Sequence, residues 1–249
     1  MIELEKLPCL ETIWQTSLDW QPNETQQKQF QQLYEEILIG NRQLNLTRLT
    51  EPHEFWEKHL WDSLAGLSGL GIASEVEKQQ KFSAIDIGTG AGFPGIPIAI
   101  VLPFWQVTLL DSTRKKVNFL NNLTTKLNLK NIQTLTGRAE EIGQDSLYRE
   151  AYDLAFIRAV GDASVCAEYA LPTLKIGGLT ILYRGHWSDR DNLLLQSAAN
   201  KLGGKIERVI ELITPLSQSI RHCIYLRKIS ATPAQFPRSV GIPAQKPLF

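Results

Sequence analysis

The chain has 249 residues, of which 43% are hydrophobic, and its 26 lysines and arginines balance 26 aspartates and glutamates. That length and apolar content suffice for one large domain with a continuous core, and a formal net charge of zero excludes a protein that coats nucleic acid through its overall field. No apolar run approaches the roughly 20 residues that span a bilayer, and Met1 to Lys6 lack the basic patch and apolar stretch of a secretory leader, so a cytoplasmic, monomeric protein with no membrane partner is expected.

From Thr25 to about Ile39 the apolar residues Phe30, Leu33, Tyr34, Ile37 and Leu38 recur at helical spacing, and Gly40 supplies a stop. A second helix is predicted from about Pro52, since proline suits a first turn, and it carries Phe55, Trp56, His59, Leu60 and Leu64. Residues 1–75 are therefore expected to form a helical cap. From Phe82 short apolar runs alternate with amphipathic stretches. Strands are predicted at Ser83 to Ile87, Gln106 to Leu110, Ile132 to Leu135, Tyr152 to Ile157, Leu179 to Tyr183 (entered by a turn at Gly177-Gly178), Ile206 to Ile213 and His222 to Arg227. Helices are predicted at Ile96 to Val101, Lys115 to Leu127, Ala163 to Leu174 and Asp189 to Leu202. Strands this apolar, separated by helices, imply a parallel sheet covered on both faces. The last two strands are joined only by Thr214 to Ile220, too short for a helical crossover, and should pair antiparallel. The expected fold is a doubly wound α/β domain over residues 76–230 with a mixed seven-stranded sheet. The tail from Ala231, with Pro233, Pro237, Pro243 and Pro247, reads as extended chain over the surface or partly disordered.

Two further compositional features bear on function. After Glu211 no acidic residue occurs, whereas Arg221, Arg227, Lys228, Arg238 and Lys246 do; a solvated edge and tail and a polyanion-facing surface explain this equally well. Cys9, Cys166 and Cys223 are scattered and odd in number, which supports neither a disulfide framework nor a metal site, so reduced and mostly buried thiols are expected.

The first predicted strand runs straight into Gly88-Thr89-Gly90-Ala91-Gly92. In an open α/β sheet, ligands sit beyond the carboxyl ends of the strands, and glycines at this spacing permit positive φ and let backbone N–H groups approach a ligand closely. Read from Gly90, the same segment satisfies the dinucleotide pattern G-x-G-x-x-G, so glycine count alone leaves a nicotinamide cofactor and S-adenosylmethionine both open. Three details favour S-adenosylmethionine. Asp86 precedes the loop in a pattern like that of class I methyltransferases, where the strand-end acid orients the methionine ammonium. Pro94 removes an N–H where a pyrophosphate-binding helix needs a donor. Asp111 ends the second strand, where a carboxylate can accept ribose hydroxyls, a device that nicotinamide enzymes share.

The acceptor is constrained by what is missing. Methylation at pyrimidine C5 needs a nucleophilic cysteine, and no cysteine stands at a strand end in a suitable loop. Exocyclic amines call for an Asp/Asn-Pro-Pro-Tyr/Phe loop after the fourth strand, which instead ends Ile157-Arg158-Ala159-Val160. An acceptor that already carries a free lone pair, such as a ring nitrogen, fits both absences and needs placement more than acid–base help. Arg158 at that strand end either holds a carboxylate or phosphate or forms a structural ion pair with Asp153 or Asp162.

The segments Asn45-Leu46-Thr47, His59-Leu60-Trp61-Asp62-Ser63-Leu64, Asp86 through Gly95, Leu110-Asp111-Ser112 with Lys115-Lys116, Gly137-Arg138-Ala139-Glu140 and Arg158-Ala159 stand in an order that resembles RsmG, a family of bacterial small-subunit ribosomal RNA guanine-N7 methyltransferases also called glucose-inhibited division protein B. The resemblance covers nearly the whole chain from about Gln26. It implies a class I, Rossmann-like methyltransferase fold, S-adenosylmethionine as donor, and 16S ribosomal RNA as partner, in a 30S particle or assembly intermediate. By position it implies that Gly88, Gly90, Gly92 and Phe93 with Asp86 contact the donor, that Asp111, Ser112 and Thr113 lie along its ribose, that Ala139 and Glu140 flank its adenine, and that Arg158 completes the pocket. Asn45, His59 and Arg158 are then the acceptor-pocket candidates, with no general base assigned. The tail also resembles the ending of longer members. Arg184 stands where the family commonly has lysine and Phe236 where tyrosine is frequent. His59 and Asp62 share one helical face, so a surface pair is the plain alternative for them, as a solvated helix start is for Arg114, Lys115 and Lys116. Two other functions stay open at this level: a small-molecule or protein methyltransferase on the same fold, and a ribosome-assembly factor that binds RNA without turnover.

Overall fold

The structure, a computed structural model, describes residues 5–249; the first four residues of the expected cap, and most of the segment Met1 to Lys6, lie outside the described residues. The chain opens with helices α1 (Glu11–Leu18) and α2 (Glu24–Leu44), the latter started by an Asn23–Gln26 capping box. A continuous helical rod follows, made of α3 (Pro52–Phe55), a π-helical segment (Trp56–Trp61) and α4 (Asp62–Ala65), and then α5 (Ile72–Lys78). The alternating half comprises β1 (Ser83–Ile87), α6 (Gly95–Val101), β2 (Gln106–Asp111), α7 (Arg114–Lys126), β3 (Ile132–Thr136), α8 (Ala139–Gln144), β4 (Tyr152–Arg158), α9 (Ala163–Ala170), β5 (Leu174–Arg184), α10 (Asp189–Lys201), β6 (Gly204–Ile213) and β7 (Ile220–Lys228), with a final turn of helix, α11 (Ile242–Gln245).

The sheet order is β3-β2-β1-β4-β5-β7-β6. Strands β1 to β5 pair parallel, and β7 is antiparallel to both β5 and β6, as the short connection after Ile213 requires. The order reverses between β1 and β4, which places a crevice beyond Ile87 and Arg158. Alternation along each strand sorts side chains between two cores. Ala84, Leu109, Phe156, Ile181 and Tyr225 face a core shared with Trp14, Phe30, Leu33 and Trp56 of the helical cap, whereas Ile85, Ile87, Leu110, Ile157 and Leu226 face α9 and α10. By the same alternation Asp86, Asp111 and Arg158 project on the cap side. The strand period therefore decides which helices can reach Arg158.

Two expectations about elements need correction, and the tail, left open between two forms, takes one of them. Helix α2 does not stop at Gly40 but runs to Leu44, because a Cβ at position 40 would lie 2.3 Å from Phe119 of α7; this glycine lets two helices cross closely. Strand β5 starts at Leu174, so Gly177 and Gly178 lie within it, beside an irregularity in its pairing with β4. The tail is packed over the surface: Arg149 holds the carbonyls of Thr232 and Phe236 at 2.7 and 2.8 Å. Helices α1, α5, α8 and α11 are additions to the predicted set.

Candidate active site

Asp86 is fully buried beneath the glycine loop that follows β1. Its Oδ2 accepts from the Thr89 hydroxyl (2.6 Å) and from the Gly95 N–H at the start of α6 (2.8 Å), while Oδ1 has no hydrogen-bond partner among the described residues. Burial pushes the carboxyl up to about 6, against the pull of those two donors and of Arg158. Gly88 (φ +73°), Gly90 (φ +61°) and Gly92 (φ +99°) all adopt the left-handed region, which a side chain would strain. A Cβ at Gly88 would also lie 2.6 Å from Val160, so the loop and the end of β4 close on each other there.

The destination of the loop's donors differs from the expectation that they approach a ligand. Gly88 and Thr89 donate to the Leu110 carbonyl at 2.8 and 3.0 Å, Gly90 donates to Asp111 Oδ2 at 3.0 Å, and Gly92 and Phe93 donate to the Thr89 carbonyl. At the start of α6, Gly95 is committed to Asp86, Ile96 donates to Gly92, and positions 94 and 97 are prolines without an N–H. A pyrophosphate needs such donors free. The Gly88 carbonyl accepts no backbone hydrogen bond among the described loop contacts, and an ammonium group requires acceptors of that kind together with the unpaired Asp86 Oδ1. The loop thus fits an amino-acid ammonium and rejects a dinucleotide phosphate.

Beside the loop a cavity of about 430 Å³ is lined by Gly88, Asp111, Ser112, Ala139, Glu140 and Val160 among others, Tyr169 and Ala244 included. Here the structure gathers Ser112 and Ala139 as the sequence suggested. Thr113 is a neighbour whose N–H donates to Asp111 Oδ1 at 2.8 Å, rather than a lining residue. Both Asp111 oxygens therefore brace backbone, with second lone pairs remaining for a ribose. Glu140 is engaged too: its Oε1 accepts from Tyr169 Oη (3.1 Å) and from the Gly241 N–H (3.0 Å).

Asp86, Gly90, Gly92, Phe93 and Arg158 do not line that cavity. Phe93 instead stacks on His59, with ring centroids 4.4 Å apart and planes 11° from parallel, and the Arg158 guanidinium lies 5.7 Å from the Phe93 ring centre. Arg158 pairs with neither Asp153 nor Asp162. Asp153 is committed to Ser83 and Lys175 at the far end of β4, and Arg158 projects toward the cap, where it donates to Asp62 Oδ2 (2.9 Å) and the Lys58 carbonyl (2.7 Å). Asp62 Oδ1 meets a second arginine, Arg221 of β7, at 3.3 Å. An arginine only donates, so at 3.3 Å Arg158 Nη2 makes His59 Nδ1 an acceptor and leaves Nε2–H to donate to Thr47 Oγ1 at 2.8 Å. Burial and the arginine together lower His59 to about 3, so the ring is neutral.

Asn45 takes a left-handed conformation at the end of α2 and is exposed, with no hydrogen bond to His59 or Arg158. It turns the chain so that Thr47 reaches His59. Thr47 itself is held by both ends of the Asn41 amide. Sequence reasoning gave no place in the site to Thr47, Asn41, Tyr169 and Ala244, and read Arg221 only as part of the late basic excess; only Thr47 had a local signal, in Asn45-Leu46-Thr47. The basic C-terminal segment proves largely neutralised. Arg221 meets Asp62, Arg227 forks onto Glu207, buried Lys228 reaches Glu150 and Arg238 clasps Glu168.

The model of the family described as GidB, rRNA small subunit methyltransferase G, matches residues 26–224. The chain belongs to this family. It is 59% identical over 242 residues to the ribosomal RNA small subunit methyltransferase G of Nostoc punctiforme, covering 97% of this chain and 98% of that one. It is 55% identical to the protein of the same name from Trichodesmium erythraeum, covering 99% and 96%. Among solved structures, NSun6 from Pyrococcus horikoshii shares the fold, with a TM-score of 0.50 at 15% identity over 64% of this chain and 51% of that one. The chain is thus an S-adenosylmethionine-dependent ribosomal RNA methyltransferase with a class I, Rossmann-like fold, and the nicotinamide alternative falls. No helix among the described residues is long and apolar enough to cross a membrane.

Proposed function

We propose that this enzyme methylates N7 of a guanine in 16S ribosomal RNA, presented in a 30S particle or an assembly intermediate, and that it acts as a cytoplasmic monomer. The observation that carries the reading is the state of the groups around Arg158. His59 is neutral, with Nδ1 occupied by Arg158 and Nε2–H by Thr47, and Asp62 is held between two arginines. None of these is arranged to remove a proton, and guanine N7 has none to lose. When bound, S-adenosylmethionine supplies a methyl group on a positively charged sulfur. Held by the glycine loop and the cavity beside Asp111, the donor would give its methyl to the N7 lone pair, a new N–C bond replacing the C–S bond whose electrons stay on sulfur, so that the positive charge would end on the guanine. A protonated imidazole beside that ring would oppose the transfer, and burial keeps His59 uncharged. Asp62 likewise offsets the charge of Arg158. A cysteine-nucleophile route has no support, since burial pushes the Cys166 thiol up to about 11 and Cys223 higher still.

In this reading Asn45, His59 and Arg158 edge the acceptor pocket. Asp86, Gly88, Gly90, Gly92 and Phe93 shape the methionine end of the donor site, and Asp111, Ser112, Thr113, Ala139 and Glu140 its adenosyl end, with Arg158 between the two. Incubation with methyl-labelled donor and 30S particles, free 16S RNA or a metabolite extract tests it. Label should appear as N7-methylguanine in 16S RNA. Label on another atom, or confined to the metabolite fraction, overturns the proposal, and donor binding without transfer to any fraction would point to an assembly factor.

A further inference from the structure

We propose that the C-terminal tail, residues 229–249, is a structural part of the donor site, with Ala244 forming the wall that faces the adenosyl group. The inference rests on reading the cavity beside Asp111 and Ala139 as the adenosyl pocket. The family match ends at residue 224, yet the cavity is closed on one side by Ala244 of α11.

The tail reaches that position through a series of specific attachments. Gln144 at the end of α8 donates to the carbonyls of Ala234 (3.1 Å) and Pro237 (2.8 Å). Gly143 has no side chain, and a Cβ there would meet Pro237 at 2.7 Å, so the tail lies directly on the α8 backbone. Arg238 then grips Glu168 of α9: its N–H and Nε donate to Oε1 at 2.8 and 2.9 Å, and Nη2 donates to Oε2 at 2.7 Å. Glu168 is fully buried and takes hydrogen bonds from no other described residue, so the tail supplies the partner its carboxylate needs. Finally the Gly241 N–H donates to Glu140, the same carboxylate oxygen that accepts from Tyr169 Oη, and both Glu140 and Tyr169 line the cavity. Glu140 is thereby a bracket between the pocket wall and the tail. Gly241 (φ +83°) turns the chain into α11, whose Ala244 stands exposed at the cavity edge. A small side chain there leaves room for a ligand.

Calorimetric titration of the full-length protein with S-adenosylhomocysteine, without RNA, reads the proposal directly. Ala244→Trp should weaken binding at least about tenfold with an unchanged melting temperature, because the residue is exposed. Arg238→Gln should weaken binding as well and accelerate amide exchange at Gly241. In the wild type, ligand should slow exchange across Gly241 to Gln245. Wild-type affinity in Ala244→Trp together with ligand-independent exchange over those amides overturns the role of the tail. A Gly88→Val titration run in parallel separates the two levels: if that variant also binds as wild type, the placement of the donor cavity is what fails, whereas lost binding there with normal binding in Ala244→Trp condemns the tail alone.

Discussion

His59 lies flat on Phe93 while Arg158 donates to its Nδ1, and the folded ring therefore refuses a proton that the unfolded ring accepts. With a folded pKa of about 3 against an ordinary 6.5, the unfolded state binds more protons between those values. The stabilising contribution is fully present above pH 6.5 and is lost as pH falls toward 3, by at most about 1.4 kcal/mol per pH unit. Denaturant melts at pH 7 and pH 5 should show a smaller acid-induced loss for His59→Gln than for the wild type; equal losses would remove His59 from the account. Asp86 works in the opposite direction. Its carboxyl is raised to about 6, so it favours the fold most at low pH and that contribution fades as pH rises from about 3.8 through 6. Gly88→Val should abolish donor binding, since valine meets Val160 at a position already at φ +73°. Donor affinity in calorimetry is the measurement, and RNA affinity should survive. His59→Ala should instead keep donor affinity and lower the rate of transfer to 30S particles, a change visible in kcat.

The rod of α3, π segment and α4 turns a sheet edge into a site, because it carries His59 and Asp62 to within reach of Arg158. It is held from within the π segment by Glu57, whose buried Oε1 accepts from the N–H groups of Leu216 (2.6 Å) and Ser217 (2.8 Å) in the turn between β6 and β7. Glu57→Ala should leave those N–H groups without their partner and cost about 1–3 kcal/mol in chemical denaturation. Transfer to RNA should fall more than donor affinity, since the turn leads into Arg221 and not into the glycine loop. Much of this level was legible beforehand. The seven strands, their alternation with helices and the antiparallel ending followed from short apolar runs and from the length of the last connection. Helices α1, α5 and α8 escaped because eight, seven and six residues leave little helical period to read and they lack the dense apolar run that marks the equally short α6 and α9. The site was legible where the motif is local, as at Asp86 to Phe93, and opaque where partners are distant: Asp62 and Arg158 are 96 residues apart, and Glu57 and Leu216 are 159. Only the packing of the rod against the sheet and its last turn brings them together, and no short sequence window encodes that packing.

Across the whole molecule the balanced charge is matched by local pairing, and the late excess of basic residues is mostly consumed by Asp62, Glu207, Glu150 and Glu168. Affinity for RNA must then come from a few exposed cations near the site. Arg114 and Lys115 at the start of α7, close to Thr113, are the best placed. Replacing both with glutamine should weaken binding to ribosomal RNA and reduce the slope of log K against log salt by about 1.5, at roughly 0.7–0.9 per lost phosphate contact; an unchanged slope would remove them from the interface. The glycine loop has a last consequence for how this molecule meets its donor. Five of the six amides from Gly88 to Phe93 bond to Leu110, Asp111 and Thr89, so the protein itself braces the loop. A loop braced in this way leaves few backbone torsions for a ligand to fix, which lowers the entropic cost of binding.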